Sequence, residues 1–142
     1  MKADLHLAAL LAEKTLLRFG VDSLPVDPVA ILQQIPNVRL MSTRRAREVT
    51  GITDARLLGT DASVQAALIG GEEGWLILYR KDISVEQRRY NFAHELGHLA
   101  LRHGGGMHEM WQEQEADCFA LHLLMPDPLM RRVRTLPQPV FA

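Results

Sequence analysis

One cysteine, Cys118, is all the thiol chemistry in this chain, so no internal disulfide can brace it. A lone thiol fits a reducing compartment and reads as a packing residue. Net charge is missing as well. The 16 Lys and Arg against 17 Asp and Glu leave a formal -1, too small a field to hold a polyanion or a lipid surface by charge alone. Direct nucleic-acid binding is therefore not expected. A basic cluster at Arg44, Arg45 and Arg47 has no aromatic residue among its members and reads as a solvated loop or sheet edge. No apolar run approaches the roughly 20 residues that span a bilayer, so no membrane segment is expected. The stretch from Met1 to Ala12 carries Asp4 and His6 and lacks a small-residue cleavage site, so it does not read as a signal peptide. These absences together point to a cytoplasmic protein. Internal repeats and a phosphate-cradling glycine loop are also lacking.

What is present suits one domain: 142 residues, 47% hydrophobic and 23% charged, can bury a real core without metal or disulfide support. Leu5, Ala8, Ala12, Leu16 and Phe19 recur at helical spacing from Asp4 until Gly20 interrupts. Asp27 before Pro28 is an N-cap followed by proline at the first helical position, predicting a short helix to Ile35. Val38–Met41 reads as a strand, Gly51–Leu58 as a possible second, and Gln65–Ile69 with Trp75–Tyr79 as a hairpin about the Gly70–Gly74 turn. Ser84 and Gln87 form a capping box at the start of a helix that Gly104-Gly105-Gly106 stops. A last helix is expected from about Glu109 to Met125, then a short basic segment at Arg131, Arg132 and Arg134. The organisation predicted is thus a helical lead-in over 1–36, a small sheet over 37–82, helices over 83–134 and a tail over 135–142.

The helix after Ser84 carries His94-Glu95-Leu96-Gly97-His98, the pattern HExxH. Histidines four apart on a helix lie about 40° apart around the axis and about 6 Å along it, so both rings can meet one tetrahedral cation. Glu95 falls between them, where a carboxylate can take a proton from water activated by the cation and pass it to a leaving amine. Val85, Phe92, Leu96 and Leu99 form an apolar stripe roughly opposite the histidines, and Gly97 allows another backbone to come close. This helix is expected to be buried between the sheet and the next helix.

A catalytic zinc needs a third protein donor. The extended pattern HExxHxxGxxH fails, because Leu101 and Gly104 stand where its glycine and histidine belong. His103 lies about 140° around the helix from His98 and is read as a donor near the helix C-terminus. His108 is a lesser candidate. On the following helix, at about 100° per residue, Glu113 and Asp117 lie at the edge of the face formed by Ala116, Ala120, Leu123 and Leu124, whereas Glu115 points away with Cys118 and His122. Glu113 is therefore the preferred third ligand, with Glu115 as its alternative. Asp117 is placed to accept the second ring N–H of a ligating histidine.

The joined pattern, Phe92-Ala93-His94-Glu95-Leu96-Gly97-His98 and then Glu113-x-x-Ala116-Asp117-x-Phe119-Ala120-x-x-Leu123-Leu124-Met125-Pro126, resembles the ImmA/IrrE family of bacterial and phage metallopeptidases. The likeness is specific from Arg88 to Pro126 and holds only in outline before it. Tyr90-Asn91 and Leu101-Arg102-His103 depart from the common family residues without touching the proposed ligands. The resemblance implies an α+β fold of the zincin kind, a small mainly antiparallel sheet packed with helices and HExxH on a central buried helix. It implies Zn2+ on His94, His98 and Glu113, the gluzincin arrangement, with Glu95 as general base; Mn2+ is an alternative cation. It also implies an endopeptidase whose substrate is a helix-turn-helix repressor of the Xre or phage type.

A rival from another class is a metal-stabilised binding or toxin–antitoxin module that sequesters a regulator without cutting it. Glu95 argues against it, since a structural zinc site fills its positions with protein donors and has no need of that carboxylate. Trp75, Trp111 and Tyr90 read as core aromatics ahead of groove-lining ones. An exposed strand near the site could take an extended peptide by edge addition.

Overall fold

A computed structural model describes residues 1–53, 58 and 64–129. Its elements run α1 (Leu5–Arg18), α2 (Pro28–Gln33), β1 (Val38–Ser42), α3 (Thr43–Thr50), β2 (Ala66–Gly71), β3 (Gly74–Tyr79), α4 (Val85–Ala100) and α5 (Met110–Leu124). Each helix start has a local chemical cause. The Asp4 carboxylate accepts from Leu7 N–H at 3.0 Å, Asp27 accepts from Val29 and Ala30 N–H with Pro28 at the first turn, and Ser84 Oγ accepts from Gln87 N–H at 3.0 Å. Gln87 does not complete a capping box at Ser84, because its side chain turns along the helix to Asn91 Oδ1. At α5 the reciprocal contact is made: Glu109 N–H donates to Gln112 Oε1 at 2.8 Å.

The sheet has the order β1-β3-β2, parallel between β1 and β3 and antiparallel between β2 and β3, so the fold is α+β with a mixed sheet. The antiparallel pair is the hairpin expected from sequence, closed on Glu72-Glu73 between Gly71 and Gly74. Gly74 has φ 132, and a Cβ there would run into the Asn37 carbonyl, which accepts from Trp75 N–H at 2.7 Å. Only glycine lets the hairpin seat against the β1 entrance in this way.

The arginine cluster departs from the sequence expectation. Thr43–Thr50 is a helix, with Ser42 Oγ accepting from Arg45 N–H and Gly51 ending it at φ 74. The helix buries only Thr43 and Ala46, so its apolar stripe is too thin to show in the periodicity; the Ser42 cap and the Gly51 stop were the readable signals. The possible strand over Gly51–Leu58 lies largely outside the described residues. Arg131, Arg132, Arg134 and the tail over 135–142 lie wholly outside them.

The core joins α1, α2, the sheet, α4 and α5 through Ala8, Ala12, Ile31, Leu68, Ile77, Phe92, Leu96, Phe119 and Leu123. Within it α4 packs against β2, α2 and α5, and α5 packs against both α4 and α1. Phe92, Ala93, Leu96 and Gly97 of α4 are buried, but Val85 is 64% exposed, and its neighbours Glu86 and Gln87 in the first turn are exposed too. At Gly97 the two central helices nearly touch, since a Cβ there would stand 3.1 Å from Phe119 Cδ1 and 3.2 Å from Ala116 Cα and carbonyl O. Backbone cannot give way as a flexible side chain can. Gly97→Val should therefore overpack the interface and cost about 1–3 kcal/mol, read as a lowered denaturant midpoint.

Candidate metal centre

The buried middle of α4 presents His94, Glu95 and His98 toward a cleft of about 920 Å³, whose walls also include Ala66–Ile69 of β2, Tyr90, His108, Glu113 and Asp117. The two Nε2 atoms of His94 and His98 lie 3.1 Å apart. Glu113, at the start of α5, places one carboxylate oxygen 3.1 Å from His94 Nε2 and the other 3.0 Å from His98 Nε2. Ligand atoms on a tetrahedral zinc at 2.0–2.1 Å are about 3.3 Å apart, close to these three separations. Two imidazole nitrogens and a carboxylate thus converge with the spacing and donor chemistry that a divalent cation requires. Among the described residues, this trio is the one group of His, Cys, Asp or Glu side chains so arranged.

The surrounding contacts fix the rings. His94 Nδ1 lies 2.8 Å from Asp117 Oδ1, which also accepts from the Tyr90 hydroxyl at 2.8 Å. A carboxylate oxygen accepts, so Nδ1 carries a ring hydrogen and Nε2 faces the cleft. Burial and the hydrogen bond to Asp117 push the Tyr90 hydroxyl far above its ordinary range, keeping it a donor. His108 stacks on His98 with centroids 3.7 Å apart and planes at 8°, while its Nε2 donates to the Gly104 carbonyl. It walls the site and lies outside the converging trio.

Electrostatics divide the two glutamates. Glu95 is 5% exposed, and Oε2 has no hydrogen-bond partner among the described residues. Burial, with the Glu113 charge adding to it against the pull of His94, pushes its carboxyl up to about 7. Glu113 goes the other way: with no cation between them, the Nε2–H groups of His94 and His98 donate to it and hold it well below the ordinary carboxylate range despite partial burial. Burial lowers His98. At His94 burial also works against the charged ring, but the hydrogen bond to Glu113 and the charges of Glu95, Glu113 and Asp117 outweigh it, and the net shift is upward. The site therefore holds one firmly ionised carboxylate and one poised near neutrality, the separation that distinguishes a cation's ligand from a proton acceptor.

Sequence phase brought His94, Glu95, His98, Glu113 and Asp117 to one place, and the structure puts them there, with Glu113 half-exposed at the cleft edge instead of in the core. It misplaced two others. His103 is not on the far side of the helix: its Nδ1 lies 2.9 Å from His98 Nδ1. The phase estimate assumed that the helix ran on, but α4 ends at Ala100 and Arg102 takes φ 58. His103 N–H then donates to His98 carbonyl O and Arg102 N–H to Leu99 carbonyl O, a Schellman turn that folds the chain back over the ligand. Glu115 shares its direction with Cys118, but that face meets α1 instead of solvent: Asp4 N–H donates to Glu115 and Cys118 Sγ donates to the Leu5 carbonyl. Glu115 is 5% exposed and bonded to His103, because α5 is covered on two sides, by α4 and by α1, and its buried arc is wider than one apolar stripe.

Trp75 is half-buried against Gly70 and Gly105, and Trp111 packs edge-on to His103, so neither tryptophan lines the cleft; Tyr90 does. No helix among the described residues is long and apolar enough to cross a membrane. Residues 47–138, more than half of the chain, match the family described as IrrE N-terminal-like domain, peptidase M78. No curated protein sequence matches the chain.

Proposed function

Because the chain belongs to the IrrE N-terminal-like, peptidase M78, family of metallopeptidases, we propose that it is a zinc-dependent endopeptidase that cuts a helix-turn-helix transcription regulator. The observation that carries the catalytic part is the convergence of His94, His98 and Glu113 beside a buried glutamate whose Oε2 has no partner among the described residues. In this reading those three residues hold the cation. Once bound, it supplies a Lewis acid that polarises the scissile carbonyl and makes water acidic enough to react near neutral pH.

The rest falls to the protein. Glu95, one residue from His94 and walled by the core, takes the proton of the attacking water and returns it to the leaving amine. Asp117 keeps the His94 ring hydrogen on Nδ1, so Nε2 stays turned to the cation. Tyr90 donates to the same carboxylate and holds it in place. Among the described residues β2 is an edge strand that lines the cleft and pairs with β3 alone, which supports binding of an extended substrate segment by strand addition at its Ala66 end. Farther along, Gly106 N–H already takes the Leu68 carbonyl, and the loop closes that end.

The regulator as substrate, of the Xre or phage-repressor type, rests on the resemblance to ImmA/IrrE proteins, and a cytoplasmic site of action belongs to the same reading. Mixing the purified protein with such a regulator and zinc should give discrete fragments by mass spectrometry, lost with a chelator and restored by zinc or Mn2+. A regulator that binds yet stays full length in the presence of stoichiometric zinc would instead support a sequestering module.

A further inference from the structure

His98 is held from behind by a chain of buried polar groups that the reaction just described does not use. His98 Nδ1 lies 2.9 Å from His103 Nδ1, and His103 Nε2 lies 2.7 Å from Glu115 Oε1. Glu115 Oε2 accepts the backbone N–H of Asp4 at 2.7 Å. The side chains of His103 and Glu115 are 3% and 7% exposed, so the contact between them is shielded from solvent, while the Asp4 contact is part-buried. Asp4 in turn caps α1. The chain therefore runs from the cleft to the amino-terminal helix, which precedes the family-matched residues 47–138.

We propose that His103 and Glu115 are positioning residues that fix the tautomer and ring orientation of His98, with the start of α1 as their anchor. The direction of the hydrogens follows from donor and acceptor counts. With the Glu115 oxygen accepting at 2.7 Å, His103 Nε2 carries a hydrogen. One hydrogen must lie between the two Nδ1 atoms, and in the cation-bound state, where His98 Nε2 gives its lone pair to the cation, the ring hydrogen of His98 is the one on Nδ1 that closes the contact. The contact thus holds His98 in the tautomer whose Nε2 lone pair a cation needs. Asp117 does the same for His94. The two ligand rings thus have separate carboxylate supports, one direct and one relayed through an imidazole. The Schellman turn at Arg102 makes the relay possible by bringing His103 back over His98.

The inference rests on the metal reading of His94, His98 and Glu113, and its test separates the two. Zinc affinity is measured by chelator competition for the wild type and for His103→Phe, His103→Asn and Glu115→Gln. The position of the ring hydrogen is read from nitrogen-15 spectra of the imidazoles with and without zinc. Removing an outer partner of a ligand lowers metal affinity by about 10–100-fold, which is the loss expected for His103→Phe. His103→Asn, smaller but able to accept from His98 Nδ1–H, should recover most of it, and Glu115→Gln should fall between.

In the zinc-loaded wild type the His98 Nδ1 hydrogen should show coupling across the hydrogen bond to His103 Nδ1. Unchanged zinc affinity in His103→Phe and Glu115→Gln overturns the positioning role and leaves the metallopeptidase reading standing. So does an Asn variant no better than Phe, since that is the pattern of lost packing. A wild type that binds no zinc overturns the metallopeptidase reading, and the lack of a His98 hydrogen on Nδ1 in the zinc-loaded spectra overturns the relay.

Discussion

Glu95→Gln should lower peptide hydrolysis by about 10²–10⁴-fold while leaving bound zinc at the wild-type stoichiometry. The two halves of this result belong together. Gln keeps the size of the buried side chain and cannot accept a proton at neutral pH, so the loss reports proton transfer and not a collapsed cleft. Glu95 is also absent from the converging trio, so metal retention is expected. Assays of regulator cleavage and metal content on one preparation check both. If cleavage persists in Glu95→Gln, the proposed base is wrong; unchanged repression phenotype with an intact regulator points to sequestration.

The same carboxylate sets a pH limb. Burial raises Glu95 from 4.5 to about 7, and only its unprotonated form accepts a proton, so kcat/KM should rise with pH through a one-proton limb. A divalent charge beside it favours the anion and draws the midpoint down. The limb should therefore fall below about 7, measured from pH–rate profiles at saturating zinc.

Glu113→Ala should remove most of the zinc affinity, by more than the roughly 10–100-fold that loss of an outer partner costs, because it takes away one of three donors. Stability gives an independent reading. Zinc at 100 times its Kd stabilises a protein that binds it only when folded by about 2.7 kcal/mol. That zinc-dependent rise in melting temperature should vanish in Glu113→Ala and survive, reduced, in Glu115→Gln. The pair of variants also decides between the two glutamates that the sequence left as alternatives. Glu113 faces both Nε2 atoms at 3.0 and 3.1 Å, whereas both oxygens of Glu115 are already committed, to His103 and to Asp4 N–H.

Much of the fold was legible because its signals are local. Asp4, Asp27 and Ser84 each satisfy backbone N–H groups within the next three residues, and each marks a helix start where the sequence predicted one. The hairpin reads from its turn in the same way. The helix at Thr43–Thr50 was missed because its evidence of burial is two residues, and a mostly solvated helix looks like a charged loop. Val85 was drawn into an apolar stripe by phase alone, although it is exposed in the first turn of α4.

At the site itself, the HExxH spacing determined that His94 and His98 share one face of a helix with Glu95 beside them, because helical geometry fixes those relations over five residues. The sequence also narrowed the third donor to two positions on α5. Tertiary structure turns Glu113 and not Glu115 toward the two Nε2 atoms, since the facing of Glu113 depends on how α5 crosses α4 at Gly97, a contact between residues far apart in the chain. It likewise decided the places of His103 and Glu115. One depends on a left-handed residue at Arg102 that ends the helical phase, and the other on burial by α1, more than a hundred residues away along the chain. Periodicity carries no record of either, because it describes one helix at a time and these side chains are placed by the meeting of three.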